Sequence, residues 1–378
     1  MTTRKLTLSL AAVAVSLVNA GTLSAVAQLS SNVSVYATGL AGPRGLKFGP
    51  DGLLYVAEAG LGGIHTTGKE CAQVPAPVGP YLNGNTARIS VIDRDGKRTT
   101  VASGFPSARN SLPTPEIQGV ADVAFLDGEL YAVLAGGGCS HGSDIPNGVV
   151  RVNVKTGSWT PLANLSRFLR EHPAKYVDRG DFEPDGAFYS LIEHRDRLYT
   201  VEPNHGQIFS ISERGDVQEA IDISEAEGHI VPTAIAAREG HFYVGNLGSF
   251  PIIPESAKIL TVGKDLFRDR FVPGLDEMDE ISHQLKVVGS RAGFTTVVAV
   301  DFGPDGLLYA LELSAAPGFP APGSGKVVRL NREGDIEDVA TGLVVPTGMT
   351  FGPDGRLYVS NFGAAPAGAG QIVRINLP

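Results

Sequence analysis

The chain alternates apolar and polar residues in short runs broken by Gly, Pro and Asp, and one such pattern returns six times. Three copies nearly coincide: Phe48–Glu58 (FGPDGLLYVAE), Phe302–Glu312 (FGPDGLLYALE) and Phe351–Asn361 (FGPDGRLYVSN). Three looser copies lie between them, at Phe125–Ala135 (FLDGELYAVLA), Ile192–Glu202 (IEHRDRLYTVE) and Ala236–Asn246 (AAREGHFYVGN). The aligned tyrosines are 55, 131, 199, 243, 309 and 358, with steps of 76, 68, 44, 66 and 49 residues. The unit is therefore constant while its connecting loops vary.

Each copy reads as a β-hairpin, because Asp-Gly supplies the positive φ angles of tight turns between two period-2 apolar runs. A second alternating hairpin follows, as in residues 87–102, 148–162, 206–220 and 325–340. Two hairpins make a four-stranded antiparallel sheet, which cannot bury both of its faces alone. Radial stacking of such sheets can. The pattern predicts an all-β chain, a six-bladed β-propeller with four antiparallel strands per blade. The last unit lacks its fourth strand, and Val33–Leu40 (VSVYATGL) matches Ile336–Leu343 (IEDVATGL), the fourth strand of unit five. The N-terminal strand is thus expected to complete the last blade and remove two open sheet edges. One helix is expected, Leu165–Lys175 between units two and three, with Pro173 ending or kinking it.

The first 27 residues follow another pattern. Arg4 and Lys5 precede the apolar run Leu6–Val18, and Ala25–Ala27 is a small-x-small site. This is the arrangement of a secretory signal peptide, so residues 1–27 are expected to be removed and 28–378 to form a single propeller domain. No other apolar run approaches spanning length, so no stable membrane insertion is expected after cleavage. The protein is expected to be secreted or periplasmic.

Composition narrows the partners. The 47 Gly and 25 Pro make 19% of 378 residues, too few for aperiodic disorder and well suited to many turns. The formal charge is −9, and −11 without Arg4 and Lys5, with no basic cluster. Nucleic acid is a poor partner for such a surface. The long loops at 60–84, 136–147 and 313–324 all follow the second strand of a unit and so crown one face. That face is where an unknown small molecule or protein is expected to bind, the chain acting as a monomer.

The G-P-D-G-x-L-Y-V repeats, the signal peptide, the loop 136–142 (GGGCSHG) and the block 293–312 together resemble the ScyD/ScyE family of exported propeller proteins. The resemblance covers essentially the whole mature chain. The repeat itself is shared with NHL-repeat proteins, streptogramin lyases and gluconolactonase-like enzymes, and with TolB-like propellers more broadly. The resemblance implies a propeller fold and export, with a role tied to extracellular pigment or secondary-metabolite assembly, but no reaction that carries over residue by residue.

Candidate chemistry falls at equivalent places in the ring. Three positions past each tyrosine stand Glu58, Leu134, Glu202, Asn246, Glu312 and Asn361. Such oxygens can bind a ligand or hold Ca²⁺, for which Glu58, Glu202 and Glu312 are the candidates, or can instead accept backbone N–H groups of a neighbouring blade. No cofactor other than Ca²⁺ is suggested. Where gluconolactonase-like propellers present metal ligands at the innermost strands, this chain has Arg44, Thr233, Thr347 and Val298. Arg44 at a channel mouth is a candidate for an anionic ligand group or for an ion pair with Glu58 or another acid. His65, His141 and His205 leave the second strand of units one to three. With Glu202 and Asn204 they form the one acid–base cluster that the topology favours, with Glu202, His205 and His141 as catalytic candidates. Cys71 and Cys139 sit in the equivalent loops of adjacent blades, and a disulfide between them is expected. Two functions follow: binding or scaffolding at the loop-rich face, or hydrolase or lyase chemistry with metal or His/Glu groups at the channel mouth.

Overall fold

The computed structural model describes residues 28–377 apart from 69, 113, 114, 265–284 and 365–367. The expected signal peptide, 1–27, lies outside the described residues. The first strand, β1 (Val33–Leu40), belongs to the end of the ring. Blade 1 follows as β2 (Pro43–Phe48), β3 (Leu54–Glu58), β4 (Leu82–Ile92), β5 (Arg98–Arg109) and a two-residue strand β6 (Ile117–Gln118). Blade 2 is β7 (Val120–Leu126), β8 (Glu129–Leu134), β9 (Gly148–Val152) and β10 (Trp159–Asn164). Helix α1 (Leu165–Glu171) leads to blade 3, made of β11 (Leu191–His194), β12 (Arg197–Glu202), β13 (Gln207–Ile211) and β14 (Val217–Asp222). A single helical turn, α2 (Ser224–Glu227), precedes blade 4: β15 (Pro232–Arg238), β16 (His241–Asn246), β17 (Ala257–Gly263) and β18 (Lys286–Phe294). Blade 5 is β19 (Val297–Phe302), β20 (Leu308–Glu312), β21 (Gly325–Leu330) and β22 (Ile336–Leu343). Blade 6 is β23 (Gly348–Phe351), β24 (Leu357–Asn361) and β25 (Gly370–Ile375), closed by β1. The chain is a six-bladed β-propeller with four antiparallel strands per blade, and β6 is an addition at the edge of blade 1.

The repeat residues explain themselves in the structure. In the three close copies the turn Asp accepts the N–H two residues on and the tyrosine hydroxyl four residues on, as Asp51 does from Leu53 (3.0 Å) and Tyr55 (2.9 Å). Asp305 and Asp354 hold Tyr309 and Tyr358 in the same way. The repeat tyrosine then meets the repeat phenylalanine of the next blade edge-on. Tyr55–Phe125, Tyr243–Phe302, Tyr309–Phe351 and Tyr358–Phe48 have ring centroids 4.9–5.1 Å apart. Such pairs add about 0.5–1.5 kcal/mol each beyond area burial. The F…Y spacing is therefore a blade-to-blade link, repeated around the ring.

Burial follows the same geometry. The apolar clusters sit between blades: Ala57 and Ile89 against Val123 and Ala132, and Val201 and Ile208 against Val244 and Leu260. Closure is by β1, whose Val33 to Leu40 pair with Ile375 to Gly370, and Leu40 is fully buried. Helix α1 is shorter than the sequence suggests, ending at Glu171 rather than Lys175. Asn164 caps its start by accepting the Arg167 N–H. Pro173 disfavours the helical conformation of the residue before it, and His172 duly leaves the helix at φ −131° and ψ 70°. Cys71 and Cys139 form a disulfide with a Cα–Cα distance of 6.2 Å, tying the long loop of blade 1 to that of blade 2. Among the described residues no helix is long and apolar enough to cross a membrane.

Candidate functional site

Two kinds of connection share one face: the loops from second to third strands and the links between blades. Three elements build up the blade 1 to blade 3 side of it. The hairpin β4–β5 is long, and β6 pairs with the end of β5 farthest from its turn through Ala108–Gln118 and Arg109–Ile117. This brings Glu116 and Gln118 to the mouth of the central channel. The link 172–190 then folds across the face with Asp178, Asp181, Glu183 and Asp185. Glycine is required where blades 1 and 2 meet at the axis, since a Cβ on Gly45 would lie 1.8 Å from Asp122 Oδ1.

Three acids of that link, Asp181, Glu183 and Asp185, are buried, and each finds a partner on another element. Glu183 accepts from His141 Nε2 at 2.9 Å and from the Tyr81 hydroxyl at 3.2 Å. His141 Nδ1 lies 2.6 Å from the Gly137 carbonyl oxygen, which can only accept, so Nδ1 carries a proton, and with a proton on Nε2 as well the pair is an imidazolium–carboxylate. Burial alone would lower His141, but the bond and charge of Glu183 outweigh it and hold the pKa above 6.5. Asp181 accepts from His229 Nε2 at 2.9 Å and from Asn204 Nδ2 at 2.7 Å. Burial pushes its carboxyl up to about 6 against the pull of His229. Asp185 accepts from the N–H and hydroxyl of Ser140, both at 2.8 Å, and from Arg170 at 2.7 Å. The disulfide, through Cys139 next to Ser140, thus holds the same loop that carries His141.

Glu202 is fully buried and accepts from the Ala187 N–H, the His205 N–H and His205 Nδ1, the last at 2.9 Å. Burial opposes the charge on both side chains, yet their mutual attraction lowers Glu202 below 4.5 and raises His205 above 6.5. With Nδ1 engaged, His205 has no hydrogen bond at Nε2 among the described residues, and Phe182 packs edge-on against its ring. A histidine fixed through one nitrogen is oriented for proton transfer at the other.

The remaining candidate positions fall apart from one another. Glu58 accepts from the Ala41 N–H (2.6 Å), Arg88 (2.7 Å) and the Ser90 hydroxyl. Glu312 and Asn361 accept the N–H groups of Thr295 and Val344, each in the link entering its own blade. Asn246 bridges the Ile230 carbonyl and the Lys258 N–H. Burial pushes the Glu312 carboxyl up to about 7, with Lys326 3.9 Å away. Glu58, Glu202 and Glu312 thus stand in blades 1, 3 and 5, each bonded within its own surroundings. Among the described residues no three His, Cys, Asp or Glu side chains are grouped to hold a metal. His65 is exposed and bonds the Gly142 carbonyl across the two loops at 2.7 Å.

At the axis, Arg44 is buried, donates to the Ile117 carbonyl at 2.6 Å and lies 3.6 Å from Glu116. Glu58 pairs instead with Arg88 and Arg98. Burial raises the Glu116 carboxyl to about 7 although Arg44 pulls it down. Thr347 and Thr233 bond the backbone of the following blade, at Pro43 and Val297. Tyr189, from the link into blade 3, donates to the Thr347 carbonyl of blade 6 at 3.1 Å. It therefore crosses the axis. Above it lies a small cavity of about 30 Å³ lined by Arg44, Glu116, Gln118, Tyr189, Asn204 and the apolar side chains of Ala121, Ala135, Ala187, Phe188 and Pro203. Below it the channel, about 190 Å³, runs past Lys47, Asp122 and Asp301. Asp122 is pushed up to about 7 by burial, against the N–H bonds it accepts from Leu191 and Val123.

Sequence reasoning singled out Arg44, Asn204, Glu202, His205 and His141, and all five lie on this side of the face. It missed Tyr81, Glu116, Gln118, Asp181, Glu183, Tyr189 and His229. The signal was present in residues 178–185 (DRGDFEPD), where four acids in eight positions occupy a long link between blades.

Comparison with known proteins finds no matching family model and no matching curated protein. Among solved structures, the fold is similar to a putative oxidoreductase (glucose dehydrogenase) from Thermus thermophilus, with TM-score 0.53, 16% identity and coverage of 91% of this chain and 99% of that one. It is similar to the PQQ-bound aldose sugar dehydrogenase of Streptomyces coelicolor (TM-score 0.51, 14% identity, 93% and 99% covered). A gluconolactonase from Xanthomonas campestris is also similar (TM-score 0.51, 11% identity, 92% and 89% covered). Likeness at these identities shows the β-propeller fold.

Proposed function

We propose that the chain is an exported propeller of the ScyD/ScyE type that binds a small molecule at the channel mouth on its loop-rich face. One observation carries this reading. Glu116 Oε2, Gln118 Oε1 and Asn204 Oδ1 are buried without hydrogen-bond partners among the described residues, and all three side chains line the same cavity. Buried acceptors left unpaired cost about 1–3 kcal/mol each, so their grouping favours a bound donor. The disulfide fits an oxidising compartment and supports export. Native mass spectrometry of the mature protein, purified gently from the secreted fraction, is the test. A retained small molecule, lost in Asn204→Leu, is expected; bare protein in every preparation would oppose the reading.

A second reading, acid–base catalysis of hydrolase or lyase type, is favoured by the orientation of His205. Glu202 fixes Nδ1 and leaves Nε2 without a partner among the described residues, and His205 follows Asn204, which lines the mouth. If turnover of any bound compound is found, His205→Gln should lower kcat by about 100-fold or more while the compound still binds. Unchanged kcat in that variant would leave binding alone.

A further inference from the structure

We propose that the group received at the channel mouth is a primary ammonium carried on an apolar stem, an inference that rests on the binding role proposed above. The two amides are oriented by their other bonds. Asn204 Nδ2 donates to the Asp181 carbonyl (3.1 Å) and to Asp181 Oδ1 (2.7 Å), so Oδ1 is the atom left over for the cavity. Gln118 Nε2 donates to Tyr81 at 3.0 Å, and the Tyr81 proton goes to Glu183, so Oε1 is left over. Glu116 has Oε1 toward Arg44 at 3.6 Å and Oε2 unpartnered. The mouth therefore offers three acceptors, one of them on a carboxyl that burial raises to about 7 beside the Arg44 guanidinium.

The cavity, about 30 Å³, has room for one small polar group. A hydroxyl donates one hydrogen bond and a water two, whereas an ammonium donates three from a single atom. Its fourth bond leads to carbon, and Ala121, Ala135, Ala187, Phe188 and Pro203 give that carbon apolar walls. A metal ion fits less well. Ca²⁺ takes six to eight oxygens, more than the three unpartnered acceptors here supply.

The test uses the folded mature chain, titrated calorimetrically at constant ionic strength with four probes: n-propylammonium, trimethylpropylammonium, propan-1-ol and Ca²⁺. Saturable binding of n-propylammonium, tighter than the other three by about tenfold or more, is expected. Glu116→Gln should weaken it by a similar factor with the thermal midpoint preserved. If that variant does not fold, Gln118→Leu removes another acceptor and takes its place. Equal or tighter binding of the trimethyl analogue, the alcohol or Ca²⁺ overturns the ammonium assignment, as does unchanged affinity in the variant or no binding of any probe. A retained molecule without an amine in the mass spectrum would overturn this inference and leave the binding reading standing.

Discussion

At the residue scale the molecule invests buried charge on one side of one face. His141 and Glu183 are both almost wholly buried and form a charged pair at 2.9 Å. Removing one partner strands the other, so His141→Leu should destabilise by about 3–5 kcal/mol, read by chemical denaturation. The double change His141→Leu with Glu183→Leu should cost less than that. The pH dependence has a definite sign. His141 has its pKa raised by folding, so its contribution is complete below 6.5, the unfolded value, and is lost as pH rises through the folded one. The stability difference between wild type and His141→Gln should therefore shrink as pH rises from 6 to 9. A difference that grows with pH would contradict the imidazolium assignment. Much of this was hidden in the sequence, because His141 and Glu183 are 42 positions apart, one in the loop within blade 2 and the other in the link from blade 2 to blade 3. Glu202 and His205, by contrast, are three apart on one strand end, and their pairing was within reach of spacing alone.

At the element scale the repeat was legible because its residues act locally. The turn Asp holds a tyrosine four positions away, and the hairpin alternation fixes which side chains enter the gaps between blades. The closing strand was legible for the same reason: Val33–Leu40 carries the pattern of a fourth strand that the last unit lacks. Without that strand blade 6 keeps an open edge and Leu40 leaves the core. A chain starting at residue 41 should fail to give a cooperative thermal transition, and unchanged thermal stability would refute the role of β1. The loops are another matter. Their course is set by single bonds between distant elements, such as Cys71–Cys139 and the two hydrogen bonds of Ser140 with Asp185. Replacing both cysteines by serine should cost about 2–4 kcal/mol and loosen the links that carry His141 and Asp185. The strand β6 escaped notice because two residues carry no periodicity, yet it is what sets Glu116 and Gln118 at the axis.

At the scale of the whole molecule the ring places opposite blades within reach across the axis, and Tyr189 uses this to reach Thr347. The tyrosine separates the mouth from the channel beneath it, since its side chain lines both. Tyr189→Ala should join the two spaces, keep the fold, and relax the size limit on whatever the mouth accepts. The asymmetry of the ring is the larger point. Blades 1 to 3 and the links between them supply the mouth's unpartnered acceptors and buried acids, while the acids and amides three positions past the repeat tyrosines, Glu58, Glu202, Asn246, Glu312 and Asn361, accept backbone N–H groups all around the ring. The most direct measurement is a crystal structure of the protein purified from its native source without added ligand. Density for a small molecule within hydrogen-bonding distance of Glu116 Oε2, Gln118 Oε1 or Asn204 Oδ1 is the predicted result. A mouth holding only water, with a molecule bound elsewhere on the propeller, would contradict it.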